Sequence, residues 1–375
     1  MNSSQIEFLH ILGDYINKRK RDYEISSEIL SYAKSQEVEG IIYRQTQMPT
    51  LQKKFASSIF YPENWKRIIA DLDIRLSKTP HFFVKGLVMA QYYPNPALRT
   101  MGDIDIVIKK DDISKVKKVL EECGFDLHPE IETVIVANRA SYEIEVHSSL
   151  IHSGIGSEFV KDYFSHCWDY VKDNTLNEDY HFVFIIQHLK GHMISKGVGF
   201  RQFMDVALFS MEPGHDWEWI SDELGKVGLL EFAKTVFAFI QLWFDVKSPI
   251  ETIEVEERFY EEATEKIFSG GVFGHEDKTN QNVGIVKQAV NSRINLKNAR
   301  KQYLLKQIFP TFQTICTLPY CSYVKKTRLL LPVAWIHRII YRGLNRKHRE
   351  EFIDRIDMNA GLQERLDLLQ KWGIR

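Results

Sequence analysis

The sequence has few cysteines and no long apolar run. Four cysteines occur in 375 residues, too few and too scattered for a disulfide framework, and the pair Cys316 and Cys321 lacks the second half of a zinc site. No apolar stretch approaches the length that spans a bilayer, and the N-terminus has no basic region followed by an apolar core. We therefore expect reduced thiols and a cytoplasmic protein without a transmembrane segment.

A large net charge is also lacking, because 49 Lys and Arg stand against 50 Asp and Glu. A formal net charge of -1 provides no general attraction to nucleic acid or to an anionic membrane. Any basic surface must therefore be local, and the segment from Lys325 to Arg349 holds eight Lys and Arg and no acid. This segment is either a packed helical pair or a contact for an anionic acceptor, RNA or a membrane surface. In the first case the packing residues would be Leu329, Leu330, Trp335, Ile336 and Ile339.

The periodicity of apolar residues divides the chain into three parts. Residues 1–75 have the helical period. Residues 76–155 contain short β-rich runs and one clear helix, "DDISKVKKVLEECGF", and residues 156–375 return to long helical patterns. The sequence therefore predicts an α+β protein, in which a small mixed β-sheet is flanked by an N-terminal helical segment and a large C-terminal helical region.

Two carboxylates interrupt the run "RTMGDIDIVI", which otherwise has the composition of a buried strand. Asp103 and Asp105 share one face of that strand, and the isoleucines point to the other face. Neighbouring carboxylates repel each other unless a cation neutralises them, and Mg²⁺ binds oxygen ligands while keeping positions for substrate phosphates. The alternative is an edge strand with two solvated acids.

The upstream segment "FFVKGLVMAQYY" has features of a phosphate site. A strand ends at Gly86 and an apolar helix follows, so the first amides of that helix could face a phosphate group. Lys85 could add a positive charge at this point, or it could simply face solvent. Arg99 could contact a phosphate or the acceptor, although an arginine that fixes its loop to the core fits the sequence equally well.

A further strand, "SYEIEVHSSL", offers a third carboxylate. Glu143, Glu145 and His147 lie on one face of this strand because side chains alternate along it. Three acids are the set with which a two-metal phosphoryl-transfer site holds two ions about 4 Å apart. The three segments together therefore favour a metal-dependent reaction at a phosphate.

Taken together, these segments resemble the DNA polymerase β-like nucleotidyltransferase superfamily. Within it, the sequence is similar to the bacterial group of uncharacterised nucleotidyltransferases in its helical N-terminal phrase "AKSQEVEGII", its lysine–glycine turn, "RTMGDIDI" and "YEIEVH". The resemblance covers most of the chain. It implies a polymerase β-like sheet and the transfer of a nucleoside monophosphate from an NTP such as ATP to a hydroxyl-bearing acceptor, with release of pyrophosphate.

The resemblance also implies roles for single residues. Asp103, Asp105 and a third acid would bind Mg²⁺, or Mn²⁺ in its place, and would be the catalytic carboxylates. Glu145 matches the third acid, and Glu143 on the same face is its rival. The nucleotide would contact the lysine–glycine turn and the approach to the aspartate strand, namely Lys85, Gly86, Arg99 and Gly102. The superfamily prefers Gly or Ser after the glycine, so Leu87 is a departure that shifts triphosphate binding toward backbone amides and basic side chains.

The helical half contains two further polar pairs. His188 and His192 are four residues apart and could bind a metal, but the acid of an H-E-x-x-H motif is missing, which favours core or cleft-wall histidines. Arg201 and Asp205 have the same spacing and are expected to pair on the helix surface or between domains. The segment "SGGVFG" lacks the phosphate-loop pattern and is interpreted as a turn.

Two other classes of function fit parts of the sequence. A D-x-D glycosyltransferase would use the aspartates to hold the metal of a nucleotide-sugar, and it predicts a Rossmann-like domain ahead of the motif. A binding or regulatory protein without turnover would retain the fold; the presence of all three carboxylates argues against this class, and Leu87 keeps it open. The acceptor, whether a small molecule, a sugar, a protein or RNA, does not follow from the fold.

Overall fold

A computed structural model describes residues 1–128, 134–151, 158–195, 197–272, 283–292, 294–316, 318–344 and 361–374. The chain forms two compact units, one of Met1–Asp277 with Trp372–Ile374 and the other of Lys278–Lys371 with Arg375. The division into parts at residues 75 and 155 stays a prediction. The end of the "SGGVFG" segment and the basic segment after Leu344 lie outside the described residues.

The first unit contains the sheet and most of the helices. Its strands are β1 (His81–Val84), β2 (Asp103–Ile108), β3 (Asp126–Leu127), β4 (Val134–Arg139), β5 (Tyr142–His147), β6 (Val171–Lys172) and β7 (Thr175–Leu176). Its helices are α1 (Ser3–Ile16), α2 (Ser27–Ser35), α3 (Glu39–Thr46), α4 (Gln52–Arg75), α5 (Gly86–Met89), α6 (Ile113–Glu122), α7 (Glu158–Ser165), α8 (Glu178–Ser195), α9 (Phe200–Met211), α10 (Trp217–Lys226), α11 (Leu230–Phe244) and α12 (Glu257–Gly270).

The second unit is helical in its described residues. Its helices are α13 (Val283–Ser292), α14 (Leu296–Ile308), α15 (Phe312–Cys316), α16 (Leu331–Leu344) and α17 (Leu362–Lys371). Across the described ranges of both units, no helix has the length and apolarity that crossing a bilayer requires.

A five-stranded sheet with the order β1-β2-β5-β4-β3 lies at the centre of the first unit. β2 pairs antiparallel with β1 and parallel with β5, and the pairs of β4 with β5 and with β3 are antiparallel. This small mixed sheet among helices confirms the predicted α+β class. Because β2 has a partner strand on each side, the alternative of an edge strand with two solvated acids is wrong.

One face of the sheet is covered by α4 and α6. The alternating apolar residues of β2 and β5, among them Ile104, Ile106 and Ile144, pack there against Trp65 of α4 and Val116 of α6. Burial of such side chains contributes about 1.5–3 kcal/mol each to folding. The helix before β1 is therefore part of the core of the sheet, and the opposite face is left for polar residues.

The chain ahead of the sheet contains helices and no strand. Residues 1–80, all of which are described, form α1 to α4 with short 3-10 turns and contain no strand. α1 begins with a capping box, in which the Asn2 side chain accepts from the backbone of Gln5 and the Gln5 side chain accepts in return. The Rossmann-like domain that a D-x-D glycosyltransferase would carry ahead of the motif is absent from this range.

Candidate active site

The register of β2 and β5 brings the predicted carboxylates together. In this parallel pair Asp103 lies opposite Glu143, and Asp105 lies opposite Glu145. Residues that lie opposite each other in a ladder direct their side chains to the same face of the sheet. Since the other face is filled by the apolar core, four carboxylates and the ring of His147 collect on one face.

Two groups of ligand atoms on this acidic face are close enough to hold a cation. Oxygens of Asp103, Glu143 and Glu145 lie within 4.8 Å of one another, and so do ligand atoms of Asp105, Glu145 and His147. Glu145 belongs to both groups. Carboxylate oxygens are the ligands that Mg²⁺ and Mn²⁺ prefer. The chemistry of the donor set therefore fits a divalent cation.

Asp105 is buried and has two close partners. Its Oδ1 accepts a hydrogen bond from Nζ of Lys85 at 2.5 Å and lies 2.7 Å from Nε2 of His147. Burial alone would raise the pKa of Asp105, but the charge of Lys85 and the hydrogen bond with His147 outweigh it and hold the pKa well below its ordinary range. Asp105 is therefore ionised at neutral pH, and Lys85 is directed at this carboxylate.

Asp103 and Glu145 have opposite electrostatic environments. Burial, together with repulsion from Asp105, raises the pKa of Asp103 to about 6. The hydrogen bond with His147, whose Nε2 lies 3.4 Å from Oε2 of Glu145, lowers the pKa of Glu145. The ionised form of Asp103 is thus disfavoured in its surroundings, and an added cation would stabilise it.

The backbone of Lys85 has an unusual conformation. Its φ of 56° and ψ of −126° lie in a region that residues with a side chain rarely adopt, at a cost of about 1–3 kcal/mol. The N–H of Lys85 donates to Nε2 of His181 at 3.0 Å, across 96 residues of sequence. Because that nitrogen accepts, the imidazole carries its proton on Nδ1. His181, in the first turn of α8, therefore helps to hold Lys85 in the conformation that points Nζ at Asp105.

Replacing His181 by Gln should make the protein less sensitive to acid. Burial lowers the pKa of His181 from 6.5 to about 3, so between these values the unfolded chain binds a proton that the folded chain does not. The stability of the wild type should therefore fall relative to His181→Gln by roughly 1 kcal/mol per pH unit below about pH 6. Urea titrations of both proteins at successive pH values would measure this difference, and a constant difference would contradict it.

Gly86 lies against the guanidinium of Arg99. A Cβ added at Gly86 would stand 2.6 Å from Nη1 of Arg99, a distance that would force the arginine to move. Arg99 itself is buried, and its Nε and Nη2 donate to Oδ1 and Oδ2 of Asp205 at 2.9 and 2.7 Å. The helix that begins at Gly86 has four residues, which leaves little helix dipole for a phosphate. Phosphate contacts of Gly86 and Arg99 stay predictions.

The other two residues around the turn have different surroundings. Leu87 packs against the apolar core of the sheet, so its side chain has a structural partner. Gly102 has open space, because an added Cβ would meet no atom within 4 Å. A nucleotide contact of Gly102 stays a prediction.

Both members of the predicted pair on α9 are buried and hold the loop before β2. Oδ1 of Asp205 also accepts from the hydroxyl of Tyr93 at 2.8 Å. Nη1 of Arg201 donates to the carbonyl oxygen of Thr100 at 2.9 Å and to Glu37 at 3.2 Å. Of the two predicted alternatives, the pair on the helix surface is wrong, because both residues are buried. Their bonds to the loop and to Glu37 agree with the bridging alternative.

The remaining polar candidates show no metal site. Nε2 of His188 lies 2.9 Å from Nε2 of His192, but within the described ranges neither histidine belongs to a group of three possible metal ligands. The four cysteines are free in this structure, and Cys167 and Cys321 are buried. The acidic face of β2 and β5 is therefore the candidate active site.

Strand alternation places His147 beside the two glutamates but indicates no role for it. The sequence does not predict a role for His181, because a histidine in an apolar helix 96 residues from Lys85 gives no local signal.

A family model described as "Uncharacterised nucleotidyltransferase" matches residues 27–245, a range that includes the whole sheet. No curated protein and no solved structure matches the chain.

Proposed function

Because the chain belongs to the uncharacterised nucleotidyltransferase family, we propose that it moves a nucleoside monophosphate from an NTP to a hydroxyl group of an acceptor. The hydroxyl oxygen attacks the α-phosphorus, the bond from this phosphorus to the β-phosphate oxygen breaks, and pyrophosphate leaves. The observation that carries the proposal is the register of β2 and β5, which opposes Asp103 to Glu143 and Asp105 to Glu145.

Asp103, Asp105 and Glu145 are the residues that would hold divalent cations. A cation bound there supplies positive charge to the triphosphate oxygens as charge develops on them. Asp105 is kept ionised by Lys85 and His147, so it presents a negative charge at all physiological pH values. Lys85, at the end of β1, is the basic side chain next to these acids and would contact the phosphates.

We assign the acceptance of the hydroxyl proton to Glu145. The hydrogen bond with His147 lowers the pKa of Glu145, so this carboxylate is free of its own proton at neutral pH. Glu145 also belongs to both groups of potential ligand atoms, whereas Glu143 belongs to one. A carboxylate in both groups can serve the cation and the reacting hydroxyl, which favours Glu145 over its rival.

A binding or regulatory protein without turnover is the second candidate. Its support is the ion pair between Lys85 and Asp105, at 2.5 Å, because a lysine that already neutralises the aspartate can replace a metal. Leu87, which packs on the sheet core, adds to this support, since it offers no hydroxyl to a phosphate. In this case the protein would bind an NTP and release no pyrophosphate.

Glu145→Gln should reduce turnover much more than Glu143→Gln. We expect the first change to lower the rate by on the order of a hundredfold or more, because it removes both a cation ligand and the proton acceptor. The second change should lower the rate less than about tenfold, because Glu143 belongs to only one of the two groups of potential cation ligands. Pyrophosphate release would be measured with each NTP, Mg²⁺ or Mn²⁺, and acceptors from the sugar, small-molecule, protein and RNA classes.

The matched glutamates also serve as controls for each other. Both lie on β5 two residues apart, and each change removes a charge without altering the length of the side chain. Equal losses in the two variants would contradict the assignment of Glu145. Wild-type binding of an NTP without pyrophosphate release for any acceptor would favour the second candidate, and a wild type that binds no NTP would contradict the nucleotidyltransferase proposal itself.

A further inference from the structure

Positive charge is concentrated in one continuous part of the sequence. From Lys278 to Arg349 there are fifteen Lys and Arg and no Asp or Glu. The rest of the chain holds 34 Lys and Arg and 50 Asp and Glu. The near-neutral net charge of the chain is therefore the sum of a strongly basic segment and an acidic rest of the chain. The basic segment makes up most of the second unit. Such an asymmetry is typical of chains that contact a polyanionic surface.

A stripe of apolar residues is exposed on the same unit. It consists of Leu329 and three residues of α16, Val333, Ile336 and Ile340; we refer to these four as the apolar stripe. Their side chains are 88%, 53%, 60% and 55% exposed. Within α16 the spacings of three and four residues place them on one side of the helix. This is a larger exposed aliphatic surface than scattered single residues would give.

The opposite side of α16 already has its packing partners. Ala334 is buried in a small core with Ile315, Cys321 and Val324. Trp335 packs against the same core and donates from Nε1 to the carbonyl oxygen of Pro310 at 2.9 Å. Of the residues that the sequence predicted to pack a helical pair, Leu330 and Trp335 do so, whereas Leu329, Ile336 and Ile339 are exposed. The apolar stripe is therefore not needed to hold the unit together.

Exposed basic side chains immediately precede the apolar stripe in the sequence. Lys325, Lys326 and Arg328 are exposed in the turn that leads into α16. A helix with an aliphatic face and adjacent Lys and Arg lies in the interface of an anionic bilayer, where apolar burial and attraction to lipid phosphates add. Nucleic acid would use the charges but not the aliphatic stripe, because bases are bound by aromatic stacking and polar contacts. Exposed basic side chains together with an exposed aliphatic stripe therefore favour an anionic bilayer over nucleic acid.

We propose that the second unit binds the surface of an anionic lipid bilayer through the apolar stripe and the basic turn of Lys325, Lys326 and Arg328. This binding is independent of the proposed nucleotidyl transfer, and its test requires no acceptor. Attraction to lipid phosphates brings the unit to the surface, and burial of Leu329, Ile336 and their neighbours holds it there. Salt should therefore weaken the binding without abolishing it.

The test uses the full-length protein and flotation with vesicles. Vesicles of equal parts phosphatidylcholine and phosphatidylglycerol should bind the wild type about tenfold or more tightly than vesicles of phosphatidylcholine alone. The double change Ile336→Asp with Ile340→Asp should weaken binding to the anionic vesicles by about tenfold or more. Replacing Lys325, Lys326 and Arg328 together by Gln should remove the preference for anionic vesicles.

Ile74 provides a matched control, because it is an isoleucine of α4 that is 73% exposed. Ile74→Asp should leave vesicle binding unchanged, and circular dichroism would verify that each variant is folded. Equal loss in Ile74→Asp, or no binding by the wild type, would overturn the proposal. So would binding to RNA or DNA that needs the basic residues but not Ile336. Light scattering that shows a dimer dissociated by the Ile336→Asp change, without vesicle binding, would assign the apolar stripe to a second copy instead.

Discussion

Asp103→Asn should abolish nucleotidyl transfer and at the same time stabilise the protein in the absence of divalent cations. Asp103 is one of the proposed cation ligands, and we expect its loss to lower turnover on the order of a thousandfold. In the folded, cation-free chain its negative charge is unfavourable, since burial and repulsion from Asp105 raise its pKa to about 6. Removing this charge should add about 1–2 kcal/mol to the free energy of unfolding.

The pH dependence of this gain has a defined sign. The pKa of Asp103 is raised from 3.8 to about 6, so above both values the folded state carries a charge that it disfavours. The gain from Asn is therefore complete above about pH 7 and disappears below about pH 4, where the carboxyl group is protonated in both states. Denaturant titrations in the presence of a chelator, at several pH values, would measure it.

Asp105→Asn is the matched comparison, two residues along the same face of β2. It should lower turnover to a similar extent, but it should destabilise the protein by about 2–4 kcal/mol, because Lys85 and His147 lose the buried carboxylate that neutralises them. Two variants with the same loss of activity and opposite changes in stability would separate cation binding from fold integrity. If Asp103→Asn also unfolds the protein, or retains activity, the proposed role of Asp103 is wrong.

Local periodicity predicts only part of the acidic face. The alternation in "DIDIVI" and "YEIEVH" assigned Asp103, Asp105, Glu143 and Glu145 to polar faces, and the register of the parallel pair makes those faces one surface. Alternation gives the face of each strand, but not which strands are neighbours. The resemblance to a known family supplied that missing information, and the order of β2 and β5 in the sheet agrees with it.

The partners of Lys85 and Arg99 could not be predicted in the same way. Lys85 donates from its backbone to His181, and Arg99 donates to Asp205, across separations of 96 and 106 residues. Such contacts depend on how α8 and α9 pack against the sheet, and no periodicity encodes that packing. The sequence therefore left Arg99 with two alternatives, a phosphate contact and an anchor for its loop.

Arg99→Met should destabilise the protein by about 3–5 kcal/mol. Both members of the pair are buried, and the change leaves Asp205 with one hydrogen bond from Tyr93 where it had three. Arg99→Lys should recover only part of this loss, since a lysine cannot reproduce the two parallel hydrogen bonds. Chemical denaturation of the three proteins would give the free energies.

The double change Arg99→Met with Asp205→Leu tests whether the loss of stability in Arg99→Met comes from the buried charge left unpaired on Asp205. If the pair acts as an anchor, the double variant should be more stable than the sum of the single changes predicts, by about 1–3 kcal/mol, because no buried charge is left unpaired. Gly86→Ala should lose most of its own cost in the Arg99→Met background, since its added Cβ would then no longer meet the guanidinium at 2.6 Å. The opposite outcome has two parts. The changes in stability would be additive in both pairs, Arg99→Met with Asp205→Leu and Arg99→Met with Gly86→Ala, and Arg99→Lys would lose more NTP affinity than its loss of stability explains. This outcome would assign Arg99 to the triphosphate. The anchor alternative requires that NTP affinity follow the folded fraction in every variant, because an arginine that holds both nitrogens on Asp205 acts on the nucleotide only through the position of its loop.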